Sequence, residues 1–459
     1  MMNNLRHMLL DLFLSLDRPL AQAEALWRPK PWEEPRVAWR SSHPRLHADL
    51  LRLSTTELAR LQADEDALHD WVRERMPSFG ALADATRELH QLAASSWKAP
   101  THKQDGYKGI STKKWAQVRS FAAAVPRSER LAIEWCSGKG YLSHRLLADR
   151  VVSSATCLEI DSSLCAAGRS LATRYSLPIT FVQADVLSST PIPPLVASAA
   201  PDAAHFALHA CGGLHRRMVR SAVALGSPLL AVAPCCYHKH PQDGSPDKAG
   251  RTDWTPLSSA GRDSRLRLNH SDLRLAASGE CARRRRDGRL REREMIWRQA
   301  FRVWQRRAYA RRRTAGGEGI DWAQASRLPS IPLPLLSQGS SSQTTAEGFK
   351  AFCAWGSTVE GESLPERART LESLDCWSEC EAELCLKLGR SQASRIARLE
   401  LLRHAFRRPL ELWLILDMCL FLDDSGYDVC LKKLCERSIS HRNMLLVAER
   451  TPRSSACEG

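Results

Sequence analysis

The 459-residue sequence contains no apolar run of the ~18–20 residues that a bilayer span requires. Its longest candidate, Pro409 to Leu422, carries Glu411 and Asp417 and reads as a buried helix. No small-residue cleavage site follows the apolar N-terminal stretch, and Asp11 interrupts that stretch. An amphipathic helix is expected there rather than a signal peptide, with the protein in the cytoplasm and no membrane partner. No Cys-x-x-Cys pair occurs among the fifteen cysteines, which removes the commonest zinc and redox spacings. Most of these cysteines read as buried thiols in a reducing compartment.

Acidic residues are scarce in one place. Between Cys281 and Arg313 fourteen Arg face only Asp287, Glu292 and Glu294, a net of +11 out of a total of +15. A localised basic stripe points to a polyanionic partner, with nucleic acid the commonest. Trp297, Phe301, Trp304 and Ala308 follow helical spacing and form an apolar face with Leu290. Arg291, Arg298, Arg302, Arg306 and Arg313 fall on a neighbouring face and form a candidate phosphate-contacting row.

Residues 1–100 read as helices joined by polar loops, with Leu50, Leu53, Leu58, Leu61, Leu68 and Trp71 at helical spacing. From about residue 125 short β-like runs alternate with helical segments. Strands are expected at 131–135, 155–160, 179–183, 203–209 and 228–233. This alternation predicts an α/β fold with a parallel sheet. Residues 239–265 read as a loop, 271–313 as mainly helical, 314–348 as a flexible linker and 366–405 as helical. Arg407-Arg408-Pro409 opens an apolar helix to about Asp424, followed by strands at 427–431 and 444–448.

The chemistry lies at the strand ends. Glu134-Trp135-Cys136-Ser137-Gly138-Lys139-Gly140 ends the first strand in a turn whose glycines let backbone approach a ligand. The next helix aims its N-terminus there. The second strand ends Leu158-Glu159-Ile160-Asp161, where a carboxylate can hold both ribose hydroxyls. The third ends in Asp185, placed to accept from an adenine amino group. A nicotinamide fingerprint running from Gly138 and Gly140 would need a glycine where Ser143 stands. Cys136 resists the positive φ that such a loop uses.

Two further stretches, Leu208-His209-Ala210-Cys211-Gly212-Gly213-Leu214 and Ala233-Pro234-Cys235-Cys236-Tyr237-His238, complete a pattern. With Glu134 to Ser143, Lys113-Lys114-Trp115, Arg408-Pro409-Leu410-Glu411-Leu412-Trp413 and Arg442-Asn443, the chain resembles class I methyltransferases of the family with a Cys-Cys-Tyr/His-His element after the fifth strand. Distant relatives of that family include tRNA ribose 2'-O-methyltransferases. The resemblance covers residues 101–238 and 405–450. It implies a Rossmann-like sheet with a core (101–238) and a closing helix and two strands (406–450), one of the two antiparallel; the residue pattern adds an N-terminal helical region (1–100), a basic helical insertion with a flexible linker (239–405) and a disordered tail (451–459). The implied cofactor is S-adenosyl-L-methionine, bound by Glu134, Gly138, Gly140, Glu159, Asp185 and His209.

The fourth and fifth strand ends should line the acceptor side. His238 or His209 is a candidate base, since histidine titrates near neutrality, and Tyr237 a candidate stacking platform. No metal is expected: Cys211, Cys235, Cys236, His238 and His240 invite one, but Cys235 and Cys236, adjacent on a strand, would point to opposite faces and poorly suit one tetrahedral site, and Cys376, Cys380 and Cys385 offer no better set. The expected activity is methyl transfer to RNA. The alternatives are methylation of a small molecule or protein, or a non-catalytic binding role. No Asn-Pro-Pro-Tyr-like signature supports amino methylation, and oligomeric state is not encoded legibly.

Overall fold

The computed structural model describes residues 2–34, 36–95, 109–188, 198, 200–239, 254–279, 285–313, 346–358 and 379–451. The expected linker at 314–345, the loop residues 240–253 with His240, the helical residues 366–378 with Cys376, and the tail at 452–459 lie outside them.

The chain divides into two compact units, one formed by Met1–Glu24, His69–Ala282 and Ala405–Gly459, the other by Ala25–Leu68 and Arg283–His404. The first hundred residues therefore contribute to both.

The first unit holds a seven-stranded sheet in the order β3-β2-β1-β4-β5-β7-β6. Its strands are β1 Leu131–Trp135, β2 Ser154–Glu159, β3 Ile179–Gln183, β4 Ala204–Cys211, β5 Leu229–Cys235, β6 Tyr427–Lys433 and β7 Met444–Arg450. β1 to β5 are parallel, and β7 runs antiparallel to both β5 and β6. All seven β5 residues are buried, as expected for a strand covered on both faces. The order reverses between β1 and β4, and such a switch opens a crevice beyond the carboxyl ends of the strands.

β4 and β5 each run two residues past their expected ends. The pairing explains why. Leu208 pairs with Ala233 but Cys211 with Cys235, so β4 carries one extra residue, a bulge at His209–Ala210. Bulges re-aim side chains and cluster beside active sites.

On one sheet face the helices Thr112–Ala124 and Tyr141–Ala148 contribute Trp115, Phe121, Leu142 and Leu146 to a core shared with Phe206 and Leu445. The helix Arg407–Asp424 is buried along almost its whole length, which accounts for its weak amphipathic pattern. Among the described residues no helix is long and apolar enough to cross a membrane. Arg408 anchors that helix by donating to Glu411 at 2.6 Å, to Asn443 at 3.0 Å and to His90 at 2.8 Å. Removing Glu411 would leave the buried Arg408 guanidinium without its counter-charge. Asp417 accepts from Leu257 N, Ser258 N and Ser258 Oγ at 2.8–2.9 Å, which ties the short helix Ser259–Asp263 to the same element.

In the second unit the helix Arg285–Arg313 buries Trp297, Phe301 and Trp304 against Phe349, Phe352 and Cys385. Phe349 and Phe352 belong to the helix Ala346–Thr358, whose first three residues fall within the span expected to be linker. The side chains of Ala308 and Arg313 are not described. Helix Thr55–Ala63 begins with a complete capping box between Ser54 and Glu57, the sequence signature of a helix start.

Candidate cofactor crevice and acceptor face

Glu134, next to last in β1, has its side chain turned into the core, 4% exposed. Its Oε2 accepts from Ser143 N at 2.9 Å and Ser143 Oγ at 2.5 Å, so it fixes the first turn of helix Tyr141–Ala148 under the loop. Burial pushes its pKa up from 4.5 to about 7, and the two Ser143 hydrogen bonds only partly counter this. The consequence for stability has a definite sign. The folded pKa lies above the unfolded one, so the Glu134 contribution is complete below about pH 4.5 and is lost as pH rises through about 7. Each tenfold change in proton affinity corresponds to about 1.4 kcal/mol, so the swing is about 3 kcal/mol. The Glu134→Gln variant keeps the shape without the charge, so its urea midpoint is expected to hold up between about pH 4.5 and 7 while that of the unaltered chain falls. Parallel midpoint curves would refute this account.

The loop itself uses positive φ at Cys136 (+56°), Gly138 (+57°) and Gly140 (+73°). Cys136 thus adopts the conformation that its residue type disfavours. A Cβ on Gly140 would lie 2.8 Å from Phe181 Cζ, whereas at Gly138 it would meet nothing within 4 Å. Gly138 therefore faces open space, a cradle that a ligand can occupy and a larger residue would fill.

Glu159 closes the other side of the loop. Its Oε2 accepts from Gly138 N at 2.8 Å, and its Oε1 from Ile160 N at 2.9 Å and Asp161 N at 3.1 Å. Asp161, two residues on, does different work: it caps the helix Ser162–Arg174 by accepting from Ser163 N and Leu164 N. That division leaves Glu159 as the crevice carboxylate. Asp185 is exposed, its Oδ1 accepting from Leu187 N at 3.0 Å. Cys136 lies at the centre of the set. Burial raises its pKa to about 12, followed by the charges of Glu159, Cys211, Glu134 and Asp185. The three carboxylates read from sequence are thus gathered round one loop.

These residues fit a nucleoside with a charged tail. Glu159 keeps acceptor capacity toward ribose hydroxyls, Asp185 faces solvent next to it, and Gly138 leaves the approach open. Glu134 fits as the support of the loop rather than as an exposed acceptor.

The acceptor side differs more from expectation. Tyr237 is fully buried, 0% exposed, with its ring edge-on to His215 at 5.7 Å, so it cannot serve as a stacking platform for an incoming acceptor. His238 packs edge-on to His270 at 5.8 Å, and burial lowers its pKa. His209 stands at the β4 bulge with φ +67° and lines a small cavity with Gln117, Pro234, Cys235, Ser440 and Arg442. Desolvation of its ring, then the charges of Lys114 and Arg442, lower its pKa to about 4. The residue keeps a solvent face, so the cations as well as burial matter. Both therefore fall below the ordinary histidine value, and His209, at about 4, is a poor base at pH 7.

Cys236 follows β5 with φ +47°. That turn breaks the alternation that would send Cys235 and Cys236 to opposite faces. The sulfurs of Cys211, Cys235 and Cys236 instead lie within 4.8 Å of one another. Cys211 and Cys235 are 3.4 Å apart, and Arg442 Nη1 donates to Cys236 Sγ at 2.8 Å. Hydrogen bonds from Cys211 and Cys235, with Arg442 beside them, hold the Cys236 pKa well below the ordinary thiol value. The sequence singles out Arg442 but gives no sign of this contact, because it joins positions 206 residues apart.

The arginine row lies in the other compact unit. Arg291 and Arg306 are exposed, and Arg298 and Arg302 half-buried. Arg298 pairs with Glu294 at 2.8 Å. Burial, then Arg306, pushes the Arg302 pKa down to about 10, only partly relieved by Glu33.

Residues 113–242 match the family model described as a methyltransferase domain. Solved structures similar to the chain include the [4+2]-cyclase SpnF, at 16% identity and a TM-score of 0.21, covering 33% of this chain and 56% of that one. Another is a SAM-dependent methyltransferase from Aquifex aeolicus, at 9% identity and 0.22, covering 38% and 92%. A third is coclaurine N-methyltransferase bound to N-methylheliamine and SAH, at 12% and 0.22, covering 44% and 59%. This chain thus spans little more than half of the first and third. No curated protein matches it.

Proposed function

We propose that the class I, S-adenosylmethionine-dependent methyltransferase domain of this chain methylates RNA in the cytoplasm. The bound cofactor supplies an electrophilic methyl group on a sulfonium. Gly138, Glu159 and Asp185 hold its nucleoside part, and Glu134 keeps the loop in shape through Ser143. The acceptor enters beside His209, whose neutral imidazole takes a hydrogen bond from it and aligns it for in-line displacement. The described cysteines are all free thiols, in keeping with a reducing compartment.

One observation carries the choice of RNA. Fourteen Arg face only three acidic residues between Cys281 and Arg313, Arg291 and Arg306 of that row are exposed, and phosphates would supply the missing counter-charge. Neutralised phosphates release counterions, so binding falls with salt. Exchanging Arg302 and Arg306 together for Ala is expected to weaken total-RNA binding at least tenfold and to lower the slope of log affinity against log salt by about 2. Fluorescence titrations at several salt concentrations read both. An unchanged slope would remove RNA as partner of this helix. Methyl transfer in a cell extract that is insensitive to nuclease pretreatment would favour a small-molecule or protein acceptor instead.

A further inference from the structure

The acceptor face holds a feature that methyl transfer to RNA does not require. Three sulfurs from two neighbouring strand ends lie within 4.8 Å of one another, and three structural devices bring them there. The β4 bulge sets Cys211 opposite Cys235. The positive φ of Cys236 turns its side chain to the same side. Gly212 N donates to Cys235 O, Gly213 N to Lys239 O, and Lys239 N to Cys236 O, at 2.8–3.0 Å, which clamps the two loops together. Backbone strain of this kind persists where the surroundings over-determine it, and it clusters at functional sites.

We propose that Cys211, Cys235 and Cys236 form a three-thiolate binding site for one thiophilic divalent ion of the zinc(II) class. Zinc–sulfur bonds of about 2.3 Å in a tetrahedral arrangement place sulfurs about 3.8 Å apart. The three sulfurs here are compatible with that spacing, with one pair at 3.4 Å and every pair within 4.8 Å. Three thiolates on a divalent ion leave one negative charge, and Arg442, 2.8 Å from Cys236 Sγ, supplies the outer cation that such a centre needs. The same guanidinium favours the thiolate form that a metal ligand must take. Simple packing of buried thiols explains none of the strained turn, the bulge or the aimed arginine. The fourth coordination position stays open to water or an acceptor atom on the side of the His209 cavity.

The test uses the full chain, reduced and stripped with a chelator. Titration with cobalt(II) is expected to give a thiolate-to-metal charge-transfer band that saturates near one ion per chain and disappears on adding zinc(II). Alkylation followed by peptide mass analysis is expected to show zinc(II) protecting Cys211, Cys235 and Cys236 and leaving the exposed Cys430 reactive. The Cys211→Ser and Cys236→Ser variants should each bind zinc(II) at least tenfold more weakly against a chromophoric competitor, while Cys430→Ser binds as before. The alkylation pattern needs no variant, so a misfolded mutant does not decide the matter. No charge-transfer band, or zinc(II) protection of other cysteines, overturns the proposal. Its failure leaves the RNA reading untouched, since no step of that reading passes through the sulfurs.

Discussion

The Glu159→Ala variant is expected to bind S-adenosylmethionine about 100-fold more weakly than the unaltered chain, with its sheet intact. Hydrogen bonds to a charged acceptor contribute roughly 1.5–3 kcal/mol each. A carboxylate that holds two ribose hydroxyls therefore accounts for at least about 3 kcal/mol, or two orders of magnitude in affinity. The same side chain organises its own surroundings through Gly138 N, Ile160 N and Asp161 N, so its removal also loosens the loop before any ligand arrives. Glu159→Gln should fall between the two, because an amide offers one acceptor oxygen and sets a donor against the backbone N–H groups. Titration calorimetry gives the affinities, and circular dichroism checks the fold. Equal affinity in Glu159→Ala and the unaltered chain would remove Glu159 from the cofactor site. Asp161→Ala supplies the contrast: its loss costs a helix cap and should leave affinity within a few-fold.

The strand ends were legible because their chemistry is local. Short apolar runs closing in Glu134, Glu159 and Asp185 identify a parallel sheet and its crevice, and the sheet places all three carboxylates round Cys136. What each carboxylate grips was not legible. Ser143 under Glu134, and Gly138 against Glu159, depend on a loop path set by positive φ at Cys136, a residue type that gives no hint of it. The closing helix and strands were readable from one apolar run and two short β patterns. The ends of β4 and β5 were not, because Cys211, Pro234 and Cys235 look like loop residues and the bulge at His209 has no pattern of its own. Alternation along a strand, sound for residues inside β5, failed one residue beyond it at Cys236. Tyr237 was misplaced for a related reason: proximity to a site in sequence says nothing of which way a side chain leaves a turn, and this one leaves into the core. On the basic helix, spacing alone sufficed to separate Trp297, Phe301 and Trp304 from the arginines, since helical periodicity is fixed by backbone geometry.

Gly212→Ala should be the most damaging single-methyl addition in the sheet-bearing unit. Gly212 has φ +60° and ψ −121°, a region essentially closed to residues with a Cβ. The added carbon would stand 1.6 Å from Lys239 O, 2.2 Å from Lys239 C and 2.9 Å from Lys239 Cα. All three are backbone atoms, so no side-chain rotation relieves the clash. The segment around Lys239 must move, and with it go the Gly213 N to Lys239 O bond and the closure that holds Cys236 against Cys211. Strain plus overpacking amounts to roughly 3–5 kcal/mol, enough to unfold a marginal unit or to splay the acceptor face. Gly138→Ala separates conformational strain from collision. Its φ is +57°, yet its Cβ would meet nothing within 4 Å, so its stability cost is limited to about 1–2 kcal/mol while the new methyl intrudes on the ligand's approach. Urea unfolding should therefore rank the unaltered chain above Gly138→Ala and Gly138→Ala above Gly212→Ala. Cofactor titration should show Gly138→Ala weakened out of proportion to its small loss of stability. An unfolding midpoint for Gly212→Ala equal to that of the unaltered chain would mean that the two loops are not clamped as described.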